Sequence, residues 1–99
     1  MDDYMVVYSG IEIPSFEDAD AQRNPIAYLH FDNGAWDWYV IGAKALENGD
    51  LYFYGLVNGI EKELGFFSLS QIEDVGAVMD EDWKKMGVFD IFPDFDLRR

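Results

Sequence analysis

Two glutamates two positions apart, Glu61 and Glu63, and a single histidine, His30, are the residues of this chain with the plainest capacity for chemistry. On a strand such a pair shares a face at about 7 Å of rise, a separation compatible with acid–base work on a bound substrate. No histidine or third polar residue converges on them in the sequence, so the better reading is a solvated strand face that keeps a hairpin soluble. His30 lies between Leu29 and Phe31 and reads as a half-buried packing histidine. With no cysteine in the chain, it cannot complete a zinc site of the usual kind. Two oxygen-rich runs, Asp32, Asn33 and Asp37 around Gly34, and Glu47, Asn48 and Asp50, lack the spacing of a calcium loop and read as turns. Phosphate-binding glycine motifs and nucleophile elbows are absent. The serines Ser9, Ser15, Ser68 and Ser70 have turn and cap explanations. No catalytic residue, metal or cofactor is expected.

The elements that must carry these residues centre on Leu51 to Glu73. Leu51, Phe53, Gly55 and Val57 alternate with Tyr52, Tyr54 and Leu56, the period of a strand. Asn58-Gly59 follows, and Asn-Gly between two such runs predicts a two-residue type I′ hairpin. That turn would set Val57 opposite Ile60, Gly55 opposite Lys62, Phe53 opposite Leu64, Leu56 opposite Glu61 and Tyr54 opposite Glu63, leaving one greasy face and one acidic-aromatic face. A bulge is expected at Gly65. Ser68 with Gln71, or Ser70 with Glu73, has capping-box spacing. A helix over 70–79 would then present Leu69, Ile72, Val75 and Met79 to the core.

Taken in order, residues 1–25 read as an N-terminal arm with an acidic loop, containing an edge strand or extended segment from Tyr4 to Ile13 and at most a short helical turn in 15–25. Ile26 to Phe31 reads as a strand, and Asn33-Gly34 as a hairpin turn into Trp36–Ala43. There Trp36, Trp38 and Val40 share one face while Asp37, Tyr39 and Ile41 share the other. Asn48-Gly49 makes a third turn, so 26–69 is a run of antiparallel strands. Asp80 to Met86 is expected to be a helical turn, Val88 to Phe92 a last short strand, and 93–99 a tail in which Phe95 and Leu97 dock or hang free. The whole is one α+β domain over 1–99, an antiparallel β-meander of about 4–5 strands packed with one main short helix.

Seven Lys and Arg against twenty Asp and Glu leave a formal charge of −13, larger than the magnitude of about 2–8 that solubility calls for in a small domain. That balance argues against direct binding to nucleic acid or an anionic membrane, because affinity for phosphate comes from basic side chains. The absence of cysteine, an acidic N-terminus and the lack of a long apolar run point to a cytoplasmic protein. Aromatic residues close to acids, namely Trp36, Asp37, Trp38, Asp50, Tyr52, Tyr54, Glu61, Glu63, Glu73 and Asp74, suit a protein interface in which rings supply buried area and carboxylates steer a basic partner.

The runs Val7-Tyr8-Ser9 and Glu12-Ile13-Pro14, the Trp36-x-Trp38-Tyr39 strand, the Gly49-Asp50-x-x-Phe53-Tyr54-Gly55 block and above all Glu61-x-Glu63-Leu64-Gly65-Phe66-Phe67-Ser68-Leu69-Ser70-x-x-Glu73 together resemble a family of small single-domain proteins of unknown function found in bacteria, plasmids and phages. The resemblance implies association with mobile elements, a compact α+β domain and no established activity. The acidic 15–25 loop and Trp83-Lys84-Lys85 depart from the family's pattern. Charge and resemblance together predict a non-catalytic binding protein that engages a basic host-protein surface, as a nucleic-acid mimic or as an inhibitor of a defence or nucleic-acid-binding protein. The alternatives are an oligomeric structural or accessory domain, and a small hydrolase built on Glu61, Glu63 and Asp50.

Overall fold

A computed structural model describes residues 5–95. The alternation of residues 36–57 becomes the middle of a five-stranded antiparallel sheet. Among the described residues the order is β1 (Val6–Tyr8), β2 (Ile11–Ile13), α1 (Phe16–Asp20), β3 (Ile26–Ala27), β4 (Leu29–Asp32), β5 (Asp37–Ala45), β6 (Leu51–Asn58), β7 (Lys62–Ser68), α2 (Leu69–Asp74), β8 (Val78–Met79), β9 (Met86–Gly87) and α3 (Val88–Ile91). Strands β4 to β7 meander, β8 adds to the free edge of β4, and the sheet order is β7-β6-β5-β4-β8. The fold is therefore α+β with an antiparallel meander.

The two-faced reading of β5 and β6 holds. Trp38, Val40, Phe53 and Phe67 bury into one cluster with Val6 and Ile13 of the N-terminal hairpin and Ile72 of α2. Tyr39, Ile41 and Leu56 bury into a second cluster with Ala19 of α1 and Val88 of α3, which Trp83 and Phe92 flank. Both faces are thus covered, one by β1–β2 and α2 and the other by α1, α3 and the 80s segment.

The hairpin turns differ from their expected form. Ser9 and Gly10, with φ of 53° and 79°, both sit in the left-handed region and join Tyr8 to its partner Ile11, the two-residue geometry of a type I′ turn. Asn58-Gly59 does not form one. Asn58 pairs with Lys62, which puts Val57 opposite Glu63, Leu56 opposite Leu64, Gly55 opposite Gly65 and Tyr54 opposite Phe66. The turn therefore holds three residues, and the partner of every β6 residue moves three places from the expected one. Glu61 lies in that turn and Glu63 faces the same side as Val57, so the two glutamates share no strand face. Asn33-Gly34 likewise sits in a four-residue connection closed by Asp32 and Asp37, with Asn33 Oδ1 accepting from the amides of Ala35 and Trp36. Asn48-Gly49 closes through hydrogen bonds between Leu46 and Asp50 and between Gly49 and Leu46.

Gly65 carries no bulge. The irregularity lies in β5, where the register with β6 slips between Val40 and Gly42 and leaves Ile41 as the extra residue. Gly55 is required there: a Cβ on it would stand 1.9 Å from the carbonyl oxygen of Tyr39. Helix α2 spans Leu69–Asp74 and not 70–79, because Gly76 enters the left-handed region at φ 87° and the chain turns out to form β8. Ser68 caps it in the first of the two expected boxes, Gln71 N donating to Ser68 Oγ and Ser68 N to Gln71 Oε1. Ile72 is buried, whereas Val75 is exposed and Met79 lies in β8.

Ile26–Phe31 is two strands rather than one, β3 pairing with β9 and β4 with β5. Residues 80–86 form a turn on Asp80, whose Oδ1 accepts from the Asp82 amide, and not a helical turn. Val88–Ile91 is a helix where a strand was expected. Its cap residue Gly87 has no side chain, and Asn24 Oδ1 accepts from the Phe89 amide in its place. The Asn24-Pro25 pair thus does a capping task across 65 residues, which local propensity cannot reveal. Tyr4 and Leu97 lie outside the described residues.

Candidate functional site

Strands β4 and β5 place His30 opposite Tyr39, and the turn on Asp80 brings a carboxylate to the other side of the ring. His30 Nε2 lies 2.8 Å from Asp37 Oδ1, and Nδ1 lies 2.9 Å from Asp80 Oδ2. Both ring nitrogens are thus engaged by carboxylate oxygens, one from β5 and one from the turn on Asp80. Tyr39 stacks on the same ring at 4.6 Å and 13°, and Trp83 leans on it at 5.2 Å. Trp83 is held in turn by its Nε1 donating to the Ala27 carbonyl. The hydrogen bond from His30 is the main cause holding the Asp80 carboxyl below its ordinary value. Burial first, then the charges of Asp37, Asp32 and Asp80, push the Tyr39 phenol up to about 12.

Chemically this cluster is a clamp. A histidine with both nitrogens engaged has no free lone pair with which to act as base or metal ligand, and no hydroxyl or thiol nucleophile is bonded to it. His30, Asp32 and Asp37 do bring ligand atoms within 4.8 Å of one another. However, Asp32 Oδ1 also accepts from the Gly34 amide, and Nε2 is already bonded to Asp37. What the clamp does is tie the 80s segment, with Trp83, onto the sheet.

The residues expected to bind are dispersed. Asp37 belongs to the clamp. Asp50 caps α2 from a distance, Oδ2 accepting from Ser70 Oγ at 2.6 Å and Oδ1 from the Ser70 and Leu51 amides. The Ser70 hydroxyl is the first cause of its lowered pKa. Tyr52 and Tyr54 pack with Phe16 of α1 and with Phe66, and burial, followed by the charge of Asp20, raises the Tyr54 pKa. Trp38 is buried.

Trp36 remains on the surface, 39% exposed, with its ring against Gly59 and 6.2 Å from that of Trp38. Beside it a shallow cavity of about 400 Å³ is lined by Asn33, Trp36, Trp38, Phe67, Ile72 and Val75. Glu63 shares the Trp38–Val57 row of that face, and Glu73 and Asp74 end the exposed side of α2. Of the ten candidates, this end of the sheet gathers Trp36, Trp38 and the acids Glu61, Glu63, Glu73 and Asp74.

Sequence reading overlooked Asp80, Tyr39 and Trp83 as neighbours of His30. The pairing of His30 with Tyr39 follows once the β4–β5 turn is given four residues, and it brings Asp37 to a diagonal position on the same face. Asp80 is 50 residues away and carries no local signal. Compared with protein-family models, with curated proteins and with solved structures, the chain matches none of them.

Proposed function

We propose that this protein is a non-catalytic binding protein whose acidic surface engages a basic surface on another protein. The observation that carries the reading is the pairing of charges: among the described residues no carboxylate pairs with a lysine or arginine, and only Asp37 and Asp80 have a titratable partner, His30. Two of the few lysines stand over aromatic rings instead, Lys62 over Phe92 and Lys85 over Tyr28. With a formal charge of −13, most of the described acids therefore have no cationic partner among the described residues. An uncompensated field of that size costs stability through self-repulsion and raises the rate of encounter with a cationic partner. The engagement of both His30 nitrogens argues against acid–base catalysis.

Affinity capture from a bacterial lysate tests it, with an unrelated protein of similar negative charge as control. Wild-type bait should retain a basic protein that the control does not. A variant with Glu61, Glu63, Glu73 and Asp74 changed to their amides should retain much less of it. Equal capture by wild type, variant and control refutes the proposal.

A further inference from the structure

Three large apolar side chains stay exposed at one end of the sheet, and they come from separate elements. Trp36 is 39% exposed, Val75 57% and Ile60 91%. Contacts bring these elements together: Gly59 lies against the Trp36 ring, and Asn33 Nδ2 donates to the Val75 carbonyl at 3.0 Å. The cavity beside Trp36 opens into this strip. Other large apolar groups, among them Met5, Val7 and Phe66, are also exposed on other parts of the surface, but only this strip borders a cavity walled by the tryptophans Trp36 and Trp38. An apolar strip rimmed by polar groups is the usual form of a contact surface.

The rim is acidic. Glu61 flanks Ile60, Glu63 lies in the Trp38–Val57 row, and Glu73 and Asp74 precede Val75. Lys62, between the two glutamates, carries its Nζ to within 5.2 Å of the Phe92 ring centroid, in the cluster on the opposite face. No lysine or arginine lines the cavity. A second copy of the chain would bring the same acids against one another, which the like charges oppose.

Resting on the proposed acidic binding surface, we infer that this strip seats an aliphatic or aromatic side chain carried by a basic segment of the partner protein, with the apolar group in the Trp36–Val75 cavity and its flanking cations on the acidic rim. The carboxylates would set encounter rate and salt dependence, and the strip would set how long the complex lasts.

A pair of short synthetic peptides, one alternating lysine with leucine and the other lysine with serine, separates the two contributions. The full-length protein is titrated with each while the indole NH signals of its tryptophans are followed by NMR. The leucine peptide should bind about tenfold more tightly than the serine peptide, as burial of one aliphatic side chain predicts, and should move the Trp36 signal. In the Ile60→Ser, Val75→Ser double variant the two peptides should bind alike. Both positions are exposed, so that variant keeps its fold, and Trp36→Ala gives a second check once its amide spectrum shows the sheet intact. Equal binding of the two peptides by wild type, a stationary Trp36 signal, or a leucine preference that survives the substitutions overturns the inference while the acidic reading stands. If neither peptide binds at low salt, the acidic reading itself fails. Movement of the Trp36 signal with protein concentration alone would show a second copy on the strip and likewise overturn the inference.

Discussion

Replacing Tyr39 with phenylalanine should make the protein more resistant to alkali, by an amount the structure sets. Tyr39 is 7% exposed, and its hydroxyl makes no hydrogen bond among the described residues. Its phenol is raised from 10.0 to about 12, first by burial and then by the charges of Asp37, Asp32 and Asp80. Between those two values the unfolded chain has lost the Tyr39 proton while the folded chain keeps it, so stability falls as pH rises. A shift of two units amounts to about 2.7 kcal/mol when fully developed, and to about 1.4 kcal/mol near pH 11, midway between the values. Tyr8 and Tyr54 are raised as well, so the quantity to measure is a difference of differences. Urea unfolding of wild type and Tyr39→Phe near pH 8 and near pH 11 gives it, since the contributions of the other tyrosines and of the lysines cancel. The wild type should lose about 1.4 kcal/mol more than the variant, a relative shift of roughly 0.5–1.4 M in midpoint for a domain of this size. Equal losses would refute the claim that Tyr39 is sealed neutral against the His30 clamp.

Gly55→Ala should destabilise by about 3 kcal/mol, the upper part of the range for overpacking, because the new methyl meets the Tyr39 carbonyl. A methyl added to its cross-strand partner Gly65 would meet nothing within 4 Å, so Gly65→Ala should be neutral or gain a few tenths of a kcal/mol, and thermal unfolding of the two variants compares them directly. Asp80→Asn should cost stability at neutral pH. Because the Asp80 carboxyl is held below its ordinary value of 3.8, its contribution is present above that value and lost as pH falls through the lower folded one, so the gap between wild type and variant in an acid titration followed by circular dichroism should close at the acid end. Ser68→Ala removes the capping box of α2 and should cost about 1 kcal/mol in urea unfolding.

The two-faced alternation of β5 and β6 was legible because burial against two separate clusters demands it at every second residue. The Ser68–Gln71 cap was legible because its partners lie three residues apart. The β6–β7 register was not, since an Asn-Gly word marks a reversal without choosing between two and three residues in the turn, and one choice moves every partner on β7. The Val88–Phe92 run misled for a different reason: its helix cap comes from Asn24 and its packing from Leu56 and Tyr39, all distant in the chain. The candidate site divides along the same line. Trp36 and the acids of the 61–74 region could be named from their types and positions, whereas the His30 clamp required the 80s segment to fold back across the sheet, and the exposed strip required three separate segments to meet at one end.

The salt dependence of binding between this protein and the partner it captures, measured with the purified pair, bears most directly on the acidic surface as the binding device. The logarithm of Kd should rise steadily as ionic strength increases, with the slope falling when Glu61, Glu63, Glu73 and Asp74 are made neutral. A Kd that stays constant from low to high salt, or that ignores those four substitutions, would contradict it.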